Sequence, residues 1–153
     1  MARHLVVVMD GNEREIELLE TATAFSDCRG AELLVLRTAS PADYDQMAET
    51  METIGEVEQR SYSDDELREG LKSDARKAAE EATDGTDVTA EVRLAIVDDD
   101  ERAETILSTA RDNDCEHVFL VGQRRSPTGK ALFGDVTQEV ILNFDGEITL
   151  SME

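Results

Sequence analysis

The chain has 153 residues, and its 36 acidic side chains against 15 Lys and Arg give a formal net charge of −21. This length fits a single domain over residues 1–153, and the negative charge opposes binding to nucleic acid. Apolar residues make up 40% of the sequence in periodic patterns but never in a membrane-spanning run, which excludes a disordered chain and a transmembrane one.

The beginning of the chain predicts a βαβ unit. Residues 5–9 are a continuous apolar, β-branched run, typical of a strand buried on both faces. Asn12 and Glu15 then make a capping-box pattern that opens a helix, and Gly30 is a natural stop for it. Residues 33–36 predict a second buried strand, reached by a right-handed crossover.

Residues 40–62 differ from their neighbours because they are acidic and lack strand signals. Four apolar residues in this segment have helical spacing: Met47, Met51, Ile54 and Val57. The segment therefore predicts a short helix or a mobile lid. A capping box at Ser63 and Glu66 opens the next helix, which ends near Gly85.

The second half of the chain continues the alternation of strands and helices. Residues 88–96 alternate in hydropathy as a strand does, and residues 98–100 lead into a helix that ends near residue 113. The remaining elements are predicted as a strand at 117–121, a helix at 136–143 and a last strand at 148–150. This order predicts an open, mainly parallel α/β sheet with helices on both faces.

Ligands of such sheets bind at the carboxyl ends of the strands. Here those positions are Asp10, Arg37-Thr38, residues 97–100 and the loop that follows Val121. We therefore look for chemistry at these four places.

The loop after Val121 lies in the longest acid-free stretch of the chain, residues 118–134. Its cations are Arg124, Arg125 and Lys130, and its glycines are Gly122, Gly129 and Gly134. Glycines allow backbone N–H groups to approach a phosphate closely, and the N-terminus of the following helix favours an anion. Two interpretations stay open: a phosphate-binding loop, or a solvated turn whose cations balance a neighbouring acidic helix.

Several sharper motifs are absent. The spacing from Gly122 to Gly129 is too long for a Walker A loop, and no GxGxxG follows the first strand. The three acids at 98–100 could hold Mg²⁺, but N-capping of the following helix explains them better. Cys28 and Cys115 lie far apart without the spacing of a zinc cluster or a disulfide framework. His4 and His117 lack nearby metal-ligand partners and are predicted to be structural.

Two motifs carry a family resemblance. Residues 6–12 form a strand that ends in Asp-Gly-Asn, and the later loop has Gly122 and Gly134 at its two ends. Arg125 stands where a second glycine belongs, and Asp135 stands where a Ser or Thr belongs. On these residues the chain resembles the universal stress protein (UspA-like) family over nearly its whole length.

The resemblance implies a Rossmann-like, adenine nucleotide alpha hydrolase-like fold with a five-stranded parallel sheet of order 3-2-1-4-5. It also implies a homodimer formed through the last strand (Ile148, Thr149, Leu150). In ATP-binding members, residues after the first and second strands line the adenosine, and the glycine loop holds the phosphates with Mg²⁺. The nucleotide-binding residues implied here are Asp10, Thr38, Gly122, Arg125, Gly129, Lys130, Gly134, Asp135 and Val136.

The departures from the family pattern have physical consequences. Asp135 can cap the final helix and form a capping box with Gln138, but its charge repels a phosphate. A direct contact from Arg125 to the phosphate would offset that repulsion. ATP binding is therefore expected to depend on this loop.

Lys is scarce in this acidic sequence and Trp is absent, which is typical of proteins from very salty cytoplasm. We expect an acidic, haloarchaeal-type member of the family, with an acidic mesophilic protein as the alternative. The start of the sequence lacks the pattern of a signal peptide, so we expect a cytoplasmic location.

Two functional hypotheses result. The first is a stress-response signalling or regulatory module that binds an adenine nucleotide, ATP with Mg²⁺, without rapid turnover. The second is a dimeric interaction protein whose glycine loop is only structural. An enzyme ranks third, because no general base near the loop can be identified from spacing.

Overall fold

The computed structural model describes residues 2–122 and 133–152, and these form alternating strands and helices. The strands are β1 (Arg3–Val8), β2 (Glu32–Ala39), β3 (Ala90–Ile96), β4 (Cys115–Gly122) and β5 (Glu147–Met152). The helices are α1 (Glu13–Arg29), α2 (Pro41–Glu58), α3 (Asp64–Thr83), α4 (Asp99–Asp112) and α5 (Asp135–Asn143). Within the described ranges, no helix is both long and apolar enough to cross a membrane.

The sheet has the order β3-β2-β1-β4-β5 with every adjacent pair parallel, which confirms the predicted fold class. Val6 lies at its centre, level with Val35 of β2 and Phe119 of β4. One face packs against α1 and α3, and the other packs against α4 and α5. Helices therefore cover both faces, as the continuous apolar strands predicted.

Helix α1 begins and ends at the predicted residues. The Asn12 side chain accepts a hydrogen bond of 3.0 Å from the Glu15 backbone N–H, and Gly30 ends the helix with a φ of 63°. The other half of the predicted capping box is wrong, because the Glu15 carboxylate bonds to the turn before Asn12. The turn presents three converging N–H groups there, a stronger attraction for a carboxylate than one N–H group.

Residues 40–62 form a longer helix than the predicted short one. Helix α2 has 18 residues and begins with a capping box between Ser40 and Asp43, which the sequence analysis overlooked. The predicted apolar stripe is only partly used, since Met47 is half-buried near α3 whereas Val57 is 84% exposed. Packing against α3 is thus enough to order this segment as a helix.

The two histidines lie inside strands and form one buried cluster with Phe25 and Phe119. The ring of His4 is 2.8 Å from the Ser26 hydroxyl, and that of His117 is 2.7 Å from the hydroxyl of Thr149. Burial is the main cause that lowers the pKa of both histidines below the usual 6.5. These partners fit the structural role predicted for both residues.

Candidate functional site at the carboxyl edge of the sheet

A cleft of about 670 Å³ opens at the carboxyl ends of β1 and β4, between the first turns of α4 and α5. Its apolar wall comes from Met9, Val121 and Val136, and five carboxylates surround this wall: Asp10, Asp99, Asp100, Asp135 and Glu139. Arg102, Gly134 and Thr137 complete the described lining. The cleft therefore occupies the edge at which open α/β sheets bind ligands.

Four of the predicted site residues line this cleft: Asp10, Gly134, Asp135 and Val136. Gly122 ends β4, but a Cβ on it would lie 3.1 Å from the Met152 sulfur, so this glycine faces β5 and α5. Three further predicted residues, Arg125, Gly129 and Lys130, lie outside the described residues. The structure thus brings together the two motifs on which the family resemblance was based.

Thr38, a predicted nucleotide-binding residue, is not part of the described cleft lining. Its side chain is fully buried, and its hydroxyl has no hydrogen-bond partner in the described part of the chain. The neighbouring Arg37 donates from Nη1 to the carbonyl oxygens of Thr38 and Met9. The end of β2 is therefore linked to the end of β1 by this guanidinium.

The start of α5 differs from the sequence prediction for Asp135. Gly134 is the N-cap residue and Asp135 is the first helical residue, so Asp135 does not cap the helix with Gln138. The backbone N–H of Gln138 instead donates 2.9 Å to the carbonyl oxygen of Gly134. Asp135 still suits this position, because a negative charge in the first turn is stabilised by the helix dipole.

The acids at 98–100 also act differently from the N-capping prediction. Asp98 occupies the N-cap position of α4, but its side chain makes no capping hydrogen bond. Asp99 and Asp100 follow in the first turn and line the cleft. Among the residues that the structure describes, no cluster of three His, Cys, Asp or Glu could hold a metal ion by itself.

Glu15 holds the turn that carries Asp10, a role missed by the sequence analysis. One carboxylate oxygen accepts from the N–H groups of Asp10 (2.8 Å) and Gly11 (2.7 Å), and the other accepts from that of Met9 (2.6 Å). Glu15 is only 2% exposed. The spacing of Asn12 and Glu15 predicted a bond from the Asn12 backbone N–H to the Glu15 carboxylate. The structure instead shows bonds from Met9, Asp10 and Gly11.

Arg102 is the second residue that the sequence analysis missed. Its Nη1 pairs with a carboxylate oxygen of Asp99 at 3.1 Å, and its side chain is 16% exposed. Its Nε is buried and has no hydrogen-bond partner among the described residues. The three-residue spacing from Asp99 suggested an ordinary surface ion pair, so nothing in the sequence singled Arg102 out.

Asp43 at the start of α2 lies close enough to Arg37 and Arg102 to be affected by their positive charges. The pKa of Asp43 is lowered, first by hydrogen bonds from Ser40 and then by the positive charges of Arg37 and Arg102. These two guanidiniums come from β2 and α4, so the three elements converge at one edge of the sheet.

Comparisons with known proteins agree with this fold. The model of the Universal stress protein family matches residues 1–149. A universal stress protein from Archaeoglobus fulgidus has a similar structure, with a TM-score of 0.61 and 22% identity over 98% of both chains. At such identities the likeness shows the fold. A comparison with curated proteins gives no significant match.

Two further structures contain adenine nucleotides. A universal stress protein in complex with cAMP matches with a TM-score of 0.57 and 14% identity, over 99% of this chain and 98% of the other. The universal stress protein from Archaeoglobus fulgidus in complex with dAMP matches with a TM-score of 0.55 and 15% identity, over 98% and 97%.

Proposed function

The chain belongs to the universal stress protein family, and from this premise we propose that it binds an adenine nucleotide in the cleft at the carboxyl ends of β1 and β4. The bound nucleotide would act as a signal in a cytoplasmic stress-response or regulatory module, without rapid turnover. The observation that carries this proposal is the cleft itself, which combines an apolar wall with Asp10 and the Gly134 turn. Relatives of the same fold bind cAMP and dAMP.

The shape and chemistry of the cleft suit a nucleoside. A volume of about 670 Å³ lies within the usual range for small-molecule pockets. Met9, Val121 and Val136 offer apolar contacts for a base, and the Asp10 carboxylate can accept hydrogen bonds from ribose hydroxyls. We propose these two roles for the cleft wall and for Asp10.

ATP is the nucleotide that the family motifs favoured, and it would require Mg²⁺ here. Five carboxylates line the described cleft, and they repel a triphosphate unless a cation lies between. Mg²⁺ prefers oxygen ligands and is commonly held by one or two carboxylates together with substrate phosphates. Asp99, Asp100 or Asp135 could supply such a carboxylate, and the ion would neutralise phosphate charge.

Calorimetric titration of nucleotide-free protein in concentrated KCl tests the proposal. Adenosine, AMP and MgATP are titrated separately, and micromolar binding of any of them supports it. Asp10→Asn should weaken this binding, whereas Asp145→Asn on an exposed turn should not. Asp135→Ser should strengthen the binding of phosphate-bearing ligands because it removes a negative charge. A folded protein that binds none of the three ligands would exclude the function.

Turnover is tested in the same samples. If the nucleotide acts as a signal, release of inorganic phosphate from MgATP should stay at the rate measured without protein. A rate that rises in proportion to the protein concentration would instead indicate an ATPase.

A second candidate function is a dimeric interaction protein in which the glycine loop is only structural. Strand β5 is the last strand of the sheet, and Leu142 of the adjacent α5 is 72% exposed. An edge strand beside apolar surface can pair with a second copy of the chain. Light scattering in concentrated KCl should then give the mass of a dimer, and a monomer would remove the support for this candidate.

A further inference from the structure

We infer that Arg102 contacts a phosphate of the bound nucleotide. The inference rests on the proposed function and deepens it. Arg102 lies in none of the family motifs that led to the site, and its role follows from its surroundings.

The backbone of the β1–α1 turn is already occupied by an anion. The N–H groups of Met9, Asp10 and Gly11 converge on the Glu15 carboxylate at 2.6–2.8 Å. Converging backbone N–H groups are a usual phosphate-binding device. Because the buried Glu15 carboxylate already accepts from these three N–H groups, a ligand phosphate needs hydrogen-bond donors from other residues.

Arg102 has donor capacity to offer. A guanidinium carries five N–H donors, and burying them without acceptors is unfavourable. Here Nη1 pairs with Asp99, while Nε is buried with no hydrogen-bond partner among the described residues, so Nε can bond a phosphate only after the side chain turns into the cleft. The Asp99 side chain is 83% exposed, so it can turn towards water when a phosphate arrives.

The central test compares adenosine and AMP, titrated without divalent cations into the wild-type protein and into Arg102→Met. Loss of a charge-assisted hydrogen bond should weaken AMP binding to Arg102→Met by about ten- to hundredfold. Adenosine binding should be unchanged. Arg111→Met is the matched control, because Arg111 lies on the same helix, paired with Glu104 and outside the cleft.

A second pair of variants tests the same contact without altering Arg102. Asp99→Asn frees the guanidinium and removes a charge, whereas Asp100→Asn removes a charge from the cleft but leaves the ion pair. Both should strengthen AMP binding, and Asp99→Asn should do so more. Equal effects would mean that only the overall charge matters.

The outcomes separate the two proposals. If the wild type binds adenine ligands, but Arg102→Met binds AMP as tightly as the wild type, the role of Arg102 is refuted. If the folded wild type binds no adenine ligand, the proposed function fails, and this inference fails with it.

Discussion

The Glu15 carboxylate should contribute measurably to stability, because its two oxygens satisfy three backbone N–H groups at the end of β1. In Glu15→Gln, the amide oxygen can still accept from Asp10 and Gly11. The amide NH₂ group, however, replaces the oxygen that accepts from Met9, and two donors then face each other. One hydrogen bond to a charged group is thus lost, and we expect a decrease of about 2 kcal/mol in the free energy of unfolding.

Glu15→Ala removes all three bonds and leaves three N–H groups without their acceptor. Water can reach part of this turn, since Asp10 is exposed, so the losses are smaller than three full hydrogen bonds. We expect a decrease of about 4 kcal/mol, since each hydrogen bond to a charged group contributes about 1.5–3 kcal/mol and water replaces part of the loss.

Urea unfolding in concentrated KCl measures both effects. Glu13→Gln is the matched control, because Glu13 lies in the same first turn of α1 but is exposed. Glu13→Gln should lose only the interaction with the helix dipole, and so lower the free energy of unfolding by about 0.3–1 kcal/mol. If Glu15→Gln destabilises the protein no more than Glu13→Gln does, the three backbone hydrogen bonds do not stabilise this turn and the reasoning is wrong.

Three further predictions concern the rest of the molecule. Burial lowers the pKa of His4 and His117 in the folded protein, so below about pH 6.5 the unfolded chain binds more protons than the folded one. The free energy of unfolding should therefore fall as the pH drops below 6.5. The fall should be less steep in His117→Asn. A Cβ at Gly55 would clash with the Arg60 carbonyl oxygen, so Gly55→Ala should lower the thermal midpoint by an amount equivalent to about 1–3 kcal/mol. Gly70→Ala is its control, because there the Cβ meets only the flexible Met47 side chain. Finally, the net charge of −21 causes repulsion within the folded protein, and salt screens this repulsion. The urea midpoint should therefore rise with KCl concentration. A midpoint that does not change with KCl would contradict the halophilic interpretation.

Periodicity was sufficient to predict an open, mainly parallel α/β sheet, whereas the strand order was predicted from the family resemblance. A strand buried on both faces needs apolar residues at every position, and this pattern in β1 and β4 placed helices on both sides of the sheet. Gly30 could be predicted as the end of α1 because a left-handed residue is needed there. Such features depend on neighbours along the chain, and the sequence contains them directly.

The candidate site was only partly predictable. Asp10 and Gly134 could be placed because strand ends and family motifs mark them. Glu15 and Arg102 were missed, because their importance depends on which N–H groups converge in space and on which donors are left without acceptors. The full burial of Thr38 could not be predicted either, because the exposure of a strand end depends on what packs against it in space.

The packing of α2 has a consequence for how the molecule opens. This 18-residue helix buries only Gly55 and rests mainly on α3, whereas β1 and β4 are buried on both sides. A segment with so few buried contacts can unfold by itself, at a lower free-energy cost than the whole domain, while the sheet stays intact. Native-state hydrogen exchange should therefore give two classes of amide protons: those of α2, which exchange through this local opening, and those of the central strands, which exchange only when the whole domain unfolds.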